Sequence, residues 1–324
     1  MAADLLFPAM GTQAHVIVVG GSPSLAAALR NRIEELDRRW SRFRPDSELT
    51  QLNDHAGAPF EVSADTRILI RRGIDGWRLS GGAFDPTILG ALVRAGYDRT
   101  YEELDGGSLG GACPLELGCE GIRLGRSTVL VPPNTGFDSG GIGKGLAADL
   151  VVEEAMGAGA DGVCVNLGGD VRLAGAGPRG DGWLVAVQHP IRDDPLALLA
   201  LGEGAVATST TLKRRWRSGG VDRHHLIDPR SGMPSESDIS FVSVVADQGW
   251  RAEVLAKAVL LNGGSHPFDI LGGTGAEALA VSTTGRVLVT DGFESLVAGA
   301  VPSELSHTLP PPSGGSVSHR AAVS

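Results

Sequence analysis

The 324-residue chain is poor in cysteine, in lysine and in long apolar runs. Its three cysteines, Cys113, Cys119 and Cys164, form no CxxC pair and no even set, and no histidine neighbours them at zinc-finger spacing. That excludes a disulfide framework and a zinc module, and it fits a reducing compartment. No apolar stretch is long enough to cross a bilayer. The opening "MAADLLFPAMGTQAHVIVVG" lacks the basic segment, apolar core and cleavage or lipidation cysteine of an export signal, so the expected location is the cytoplasm. Positive charge is also short. A net charge of -10 argues against a surface built to lie on phosphate backbones, which excludes nucleic acid as a partner. Of 28 basic residues only Lys144, Lys213 and Lys257 are lysines, so a lysine here is a compact point charge in a chain that otherwise uses the planar guanidinium.

What is present reads as globular: 42% of residues are hydrophobic, enough for one large core or two joined ones. Alternating apolar positions 14–19 predict a strand. Leu25, Leu29, Ile33, Leu36 and Trp40 follow at helical spacing. A short helix capped by Asp46 or Ser47 comes next, then a longer one capped by Ser63 or Asp65 and ended by Gly81-Gly82. Residues 100–133 are glycine-rich, with strand-like pieces "GIRLG" and "STVLVP". Beyond them the pattern gives a helix over 143–157, strands "GVCVNL", "WLVAVQ" and "GAVATS", the polar "LKRRWRSGGVDRHHLIDPRSGMP", a strand "ISFVSVVA", a helix "RAEVLAKAVLLN", and strands "ALAVST" and "RVLVTD". The tail 303–324, rich in Pro, Ser and Gly, is expected to be disordered, leaving a single domain over 1–302.

Three corners carry chemistry. In "DSGGIGKGLAAD" (138–149), glycines before a helix let backbone amides approach an anion, the helix dipole adds partial positive charge and Lys144 adds a full one. The loop is not a P-loop, because Asp138 stands where GxxxxGK[ST] needs glycine and Gly145 where it needs a hydroxyl. It is not GxGxxG either, because Leu146 replaces the last glycine. Taken alone it reads either as a phosphate cradle or as a structural turn. "VNLGGD" ends a buried apolar strand. "RHHLIDPRSGMP" holds His224, His225 and Asp228 at a strand end. Adjacent strand residues point to opposite faces, so one histidine is expected to act and the other to sit in solvent. No GxSxG elbow exists to support a serine hydrolase.

The order of "AMGT", "RWSRFRPDSELTQLN", "GAFDPTILGAL", "DSGGIGKGLAADLV", "VNLGGDVRL", "VATSTT", "HHLIDPRSGMP" and "AEVLAKAVLL" resembles the ApbE family, the FAD:protein FMN transferases, over about residues 8 to 300. The resemblance implies an α+β fold of two lobes with FAD in the cleft between them, its diphosphate at the glycine loop. It also implies a bound Mg2+ and transfer of FMN, through its phosphate, to a Thr or Ser hydroxyl of an acceptor protein with release of AMP. Carried over by motif, Met10, Phe43, Ala83, Phe84, Asp85, Asp138, Lys144 and Ile227 contact FAD. Phe43 stands where many relatives have Tyr. Asp149 and the Gly168-Gly169-Asp170 corner are weaker candidates for lining the same cleft. Lys144 stabilises the charge that develops on the phosphates, His225 takes the proton of the attacking hydroxyl, and Asp228 orients the turn or the ring.

For the metal the resemblance implies a backbone carbonyl at Gly141 and an acid on the late helix, where Glu253 stands. Ala256 and Lys257 replace the remaining ligand types, so weakened Mg2+ binding is expected. The Lys257 ammonium partly replaces the metal charge, or forms an ordinary i,i+4 pair with Glu253. The same residues also suit an FAD diphosphatase giving FMN and AMP, or a noncatalytic FAD-binding protein.

Overall fold

The computed structural model describes residues 2–104, 117–218 and 220–299. Cys113 and the expected disordered tail 303–324 lie outside the described residues. Two compact units are each assembled from separate stretches of chain. One takes the residues up to Glu34, Lys144–Thr210 and those from Ser237 on; the other takes Glu35–Gly143 and Thr211–Glu236.

The chain opens with a hairpin of β1 (Ala2–Ala9) and β2 (Thr12–Gly20), followed by α1 (Leu25–Trp40). It then builds the second unit from α2 (Glu48–Asp54), β3 (Phe60–Glu61), α3 (Ala64–Leu79), α4 (Leu89–Arg94), β4 (Arg123–Leu124) and β5 (Thr128–Leu130). It re-enters the first unit with α5 (Gly143–Gly157), β6 (Ala160–Leu167), β7 (Asp170–Gly175), β8 (Trp183–Gln188), β9 (Pro195–Leu201) and β10 (Gly204–Thr210). The second unit then receives two short ribbons, β11 (Arg215–Ser218) with β12 (Val221–His224), and β13 (Ile227–Asp228) with β14 (Met233–Pro234). The chain finishes in the first unit with β15 (Ile239–Ala246), α6 (Gly249–Asn262), β16 (Glu277–Ser282) and β17 (Val287–Val289). Helices and antiparallel sheets make an α+β fold, as the family resemblance implies.

The first unit is organised by an eight-stranded sheet in the order β1-β2-β6-β7-β10-β15-β16-β17, antiparallel throughout. The β8-β9 ribbon covers one face. Its alternation points Trp183, Val185 and Val187 into a core shared with Leu173, Val206, Phe241 and Leu279. β15 is buried along its whole length, and α6 packs against it and β10. An all-buried strand reads as an unbroken apolar run rather than an alternation, as "ISFVSVVA" does.

β1 departs from the sequence reading, which placed no strand before residue 14. It is the edge of the sheet, and Pro8 faces Gln13 across the pair. Proline lacks the N–H that an interior strand needs, so it obscures a strand that only an edge tolerates. In the second unit, Ser47 and Ser63 are the caps of α2 and α3, accepting from the amides of Thr50 and Thr66 at 3.0 and 3.3 Å. Glu48, in the first turn of α2, reaches the amide and hydroxyl of Ser63 and the hydroxyl of Thr66, tying the two helix starts together.

Candidate functional site

In the first unit the site is built on the crossing of α5 and α6. A Cβ on Gly249 would lie 2.5 Å from the carbonyl oxygen of Gly145, and one on Gly145 would meet the Gly249 carbonyl still closer. Only glycine permits this backbone approach. Gly145 thus occupies the position where a P-loop has its hydroxyl because α6 sits where a side chain would go. Each helix also satisfies the other's first amides. Asp149 on α5 accepts from the amides of Gly249 and Trp250 at 2.7 and 2.9 Å, and Glu253 on α6 accepts from the amide of Gly145 at 2.8 Å.

Lys144 stands at the centre. Its ammonium donates to Asp170 and, at 3.2 Å, to Oε1 of Glu253. Both carboxylates are buried, and each spends its other oxygen on a backbone amide: Asp170 on that of Thr208 at 3.3 Å, Glu253 on that of Gly145. An ammonium has three donors, so one N–H of Lys144 stays available for a ligand. Glu253 is therefore not an exposed member of a helical surface pair; 4% of it is accessible and its carboxylate faces Lys144. Arg172 pairs with Asp149 at 3.2 Å and with Glu203 at 3.0 Å. Burial pushes the Asp149 carboxyl up to about 6, against the opposing pull of its two amide donors and Arg172. Met10 lies in the two-residue turn joining β1 to β2, at φ 52 beside Gly11 at φ 64. Both angles suit a tight hairpin turn, but a side chain in that region stores strain of about 1 kcal/mol.

In the second unit Asp138 opens the glycine loop, 6% exposed. Arg42 approaches its Oδ1 to 3.0 Å, while Oδ2 accepts the Gly140 amide at 3.1 Å. The amide of Asp138 donates to the carbonyl of Pro86 at 2.7 Å, binding the loop to the "GAFDP" segment. Within that segment Phe84 and Asp85 are buried. Asp85 accepts from the amide and hydroxyl of Thr87 at 2.7 and 2.5 Å, and burial raises its carboxyl above the ordinary range despite these bonds. Ala83 closes the turn after α3, donating to Ser80.

Arg42 links these candidates to an aromatic group. Its guanidinium lies 4.1 Å from the Phe43 ring centre and 4.5 Å from that of Tyr97, and it donates to the Tyr97 carbonyl at 2.8 Å. Tyr97 in turn stands 5.3 Å from Trp216, in a cluster with Ile227. Phe43, Asp138 and Ile227 are thus gathered around Arg42, Tyr97 and Trp216, three residues the sequence reading did not single out. The signal was partial: Arg42 stands inside "WSRF", but Tyr97 and Trp216 sit alone in unpatterned stretches.

The paired histidines need one correction. His224 is buried, not in solvent: its Nδ1 accepts the Leu226 amide at 3.3 Å and Nε2 meets the Ser235 carbonyl at 3.0 Å. Burial lowers its pKa, keeping the ring neutral with the proton on Nε2. The chain leaves the extended β12 conformation at His224, so strict alternation does not apply there. His225 is half-buried. Asp228 accepts the Arg230 amide at 2.9 Å and pairs with its guanidinium, fixing the turn at residues 228–232. Among the described residues no group of three or more His, Cys, Asp or Glu side chains is placed to hold a metal ion, and no helix is long and apolar enough to cross a membrane.

In this α+β chain the glycine loop leads into a helix whose lysine is held by two carboxylates, an arrangement that can present backbone amides and one cation to an anionic ligand. The ApbE family model matches residues 10–280, and the chain belongs to that family. It is 27% identical, over 92% of its own length and 91% of the relative's, to the FAD:protein FMN transferase of Vibrio cholerae. It is 29% identical to that of Treponema pallidum, covering 88% and 85%. Among solved structures, the ApbE protein of Thermotoga maritima superposes with a TM-score of 0.83 at 26% identity, covering 92% of this chain and all of that one. The flavin transferase ApbE of Vibrio cholerae gives 0.78 at 25%, covering 92% and 99%.

Proposed function

We propose that this chain is an FAD:protein FMN transferase. The hydroxyl oxygen of a Thr or Ser on an acceptor protein attacks the FMN-side phosphorus of FAD. The bond from that phosphorus to the bridging oxygen breaks, its electron pair leaves with AMP, and FMN stays ester-linked to the acceptor. One observation carries the reading at the level of geometry: a lysine at the start of α5, directly after the glycine loop, is held in place by two buried carboxylates with a donor to spare. The names of the relatives support the same activity.

The roles follow from placement. Loop amides around Gly141 and the α5 dipole hold the diphosphate, and Lys144 offsets charge that grows on its oxygens as the bond breaks. Phe43 and Ile227 give apolar surface for flavin or adenine rings. Met10 at its hairpin tip, and Ala83, Phe84 and Asp85 after α3, line the dinucleotide. His225 accepts the proton of the attacking hydroxyl, a contribution of about 10² to 10⁴-fold. Asp228 holds the turn that carries it. The setting we propose is cytoplasmic, supported by Cys119 and Cys164, which are free and buried.

Mg2+ does not fit the donors on α6. Both Glu253 oxygens already accept N–H donors, the Lys144 ammonium lies 3.2 Å from one of them, Ala256 has no donor atom and Lys257 is a cation. An octahedral dication wants several oxygens and no competing positive charge. We therefore assign the positive charge beside the diphosphate to Lys144, assisted by Lys257 one helical turn beyond Glu253. Chromatography of the reaction separates the alternatives: AMP without free FMN, and only when acceptor is present, supports transfer. Equal AMP and free FMN without acceptor marks a diphosphatase, and neither product marks a flavin carrier.

A further inference from the structure

The polar stretch before His224 is the most basic in the chain. Residues 213–223 contain Lys213, Arg214, Arg215, Arg217 and Arg223 against one acid, Asp222, in a protein of net charge -10. The stretch forms the β11-β12 ribbon, in which Arg215 pairs with His224 and Arg217 with Asp222 in the backbone register. Arg215 and Arg217 are exposed, while Trp216 between them is 8% exposed. No carboxylate of the described residues lies within ion-pair distance of Lys213, Arg215, Arg217 or Arg223.

The ribbon is fixed rather than free. Trp216 Nε1 donates to the Ala95 carbonyl at 2.9 Å, its ring lies against Tyr97, and the Tyr101 hydroxyl donates to the Arg215 carbonyl at 2.9 Å. A two-stranded ribbon is marginal alone and gains its order from such anchors. Arg214 holds φ 47, a left-handed angle that costs free energy and persists only where surroundings impose it. Burial first, and the neighbouring Arg214 charge second, push the Lys213 ammonium down to about 8. A preorganised cluster of this kind loses little entropy when an anionic partner arrives.

We propose that the β11-β12 ribbon docks an acidic segment of the acceptor polypeptide next to its Thr or Ser. The placement rests on the transferase reading above. β12 runs into the histidine pair, and backbone connectivity keeps the Cα of His225 within about 7 Å of that of Arg223, so an acidic segment bound along the ribbon lies beside the base. In an otherwise acidic protein such a patch also steers an acidic partner to one place and repels it elsewhere.

The test uses the full chain and a fluorescein-labelled peptide with a central Thr flanked by Asp and Glu, read by anisotropy. A neutral peptide of equal length and a single-stranded oligonucleotide of equal charge serve as competitors. The double variant Arg215→Glu with Arg217→Glu weakens the acidic peptide about tenfold or more at low salt. The difference shrinks at about 1 M NaCl, where charges are screened beyond about 3 Å. Arg215→Lys with Arg217→Lys retains most of the affinity, which separates lost charge from a disturbed ribbon. FAD affinity, measured by flavin fluorescence, is the same in all variants. Equal binding of neutral and acidic peptides, or displacement by the oligonucleotide as effective as by peptide, overturns the proposal; so does a parallel loss of FAD affinity, which would give the ribbon to the dinucleotide. Failure of the wild-type chain to bind FAD while still binding acidic peptide refutes the transferase reading and leaves the docking surface standing.

Discussion

Gly145 and Gly249 meet backbone to backbone, each leaving no room for a Cβ on the other, and this contact sets where α5 presents Lys144. The lysine precedes the contact by one residue, and Glu253, which receives its ammonium, follows Gly249 by one turn. Gly145→Ala drives a methyl into the Gly249 carbonyl, and because the clash is with backbone, relief requires moving a helix. The expected cost is about 2 kcal/mol or more in urea unfolding. Gly157→Ala, at a helical glycine with open space around it, is expected to be neutral or to stabilise by about 0.5–1 kcal/mol. Equal effects at the two positions would contradict the packing account.

Lys144→Met removes the cation between two buried carboxylates. The variant is expected to lose AMP formation and about 3 kcal/mol or more of stability at neutral pH. With the ammonium gone, Asp170 and Glu253 become a pair of oxygen donors, so Mn2+ affinity measured by electron paramagnetic resonance rises relative to the native chain. Native Mn2+ affinity equal to or above the variant's would show that Lys144 does not occupy the cation position.

Arg42 and Asp138 are a buried pair supported on one side by Phe43 and Tyr97. Arg42→Ala strands the Asp138 carboxylate, with an expected loss of about 3–5 kcal/mol and of FAD binding. Arg42→Lys keeps the charge but not the planar stacking on two rings, so an intermediate loss is expected. Thermal unfolding and flavin fluorescence titration give both quantities.

Asp149 sets a pH dependence. Its folded-state pKa of about 6 lies above the ordinary value of 3.8, so the fold holds that proton more tightly than the unfolded chain does. The resulting stabilisation is complete below the unfolded value and is lost as pH rises through about 6. The stability of the native chain minus that of Asp149→Asn therefore falls between about pH 4 and pH 6, by the order of 2–3 kcal/mol. A difference that stays flat or rises over this window would show that the amide donors and Arg172 outweigh burial.

His225→Ala is expected to lower acceptor-dependent AMP release by about 10² to 10⁴-fold while leaving FAD affinity near native. His224→Ala acts differently: it removes the acceptor of the Leu226 amide and the donor to the Ser235 carbonyl, so its main effect is lost stability. Comparing the two variants by unfolding and by turnover separates the base from its structural neighbour.

The periodic elements were legible in the residues because their burial is regular. α1, α3, α5, α6 and the strands β2, β6, β10, β15 and β16 lie within a few residues of the positions that the residue pattern gives, and the serine caps of α2 and α3 are where cap chemistry puts them; the interior strand β7 was not read. β1 escaped because an edge strand may carry Pro8, and β11-β12 because a short ribbon that buries Trp216 and His224 among more exposed neighbours leaves no alternation to read. The site was legible as motifs but not as contacts. "DSGG" marks the loop without revealing that Arg42, 96 residues earlier, pairs with its aspartate. "AEVLAK" suggests a helical pair without revealing that the Glu253 carboxylate also receives Lys144, which only the packing of α5 on α6 makes possible.

The central claim is covalent transfer of FMN to a protein hydroxyl, and intact mass spectrometry of an acceptor incubated with the purified chain and FAD tests it most directly. The account predicts a mass gain of one FMN residue, mapped to a Thr or Ser, with AMP released in equal amount. An acceptor of unchanged mass alongside free FMN and AMP would contradict it.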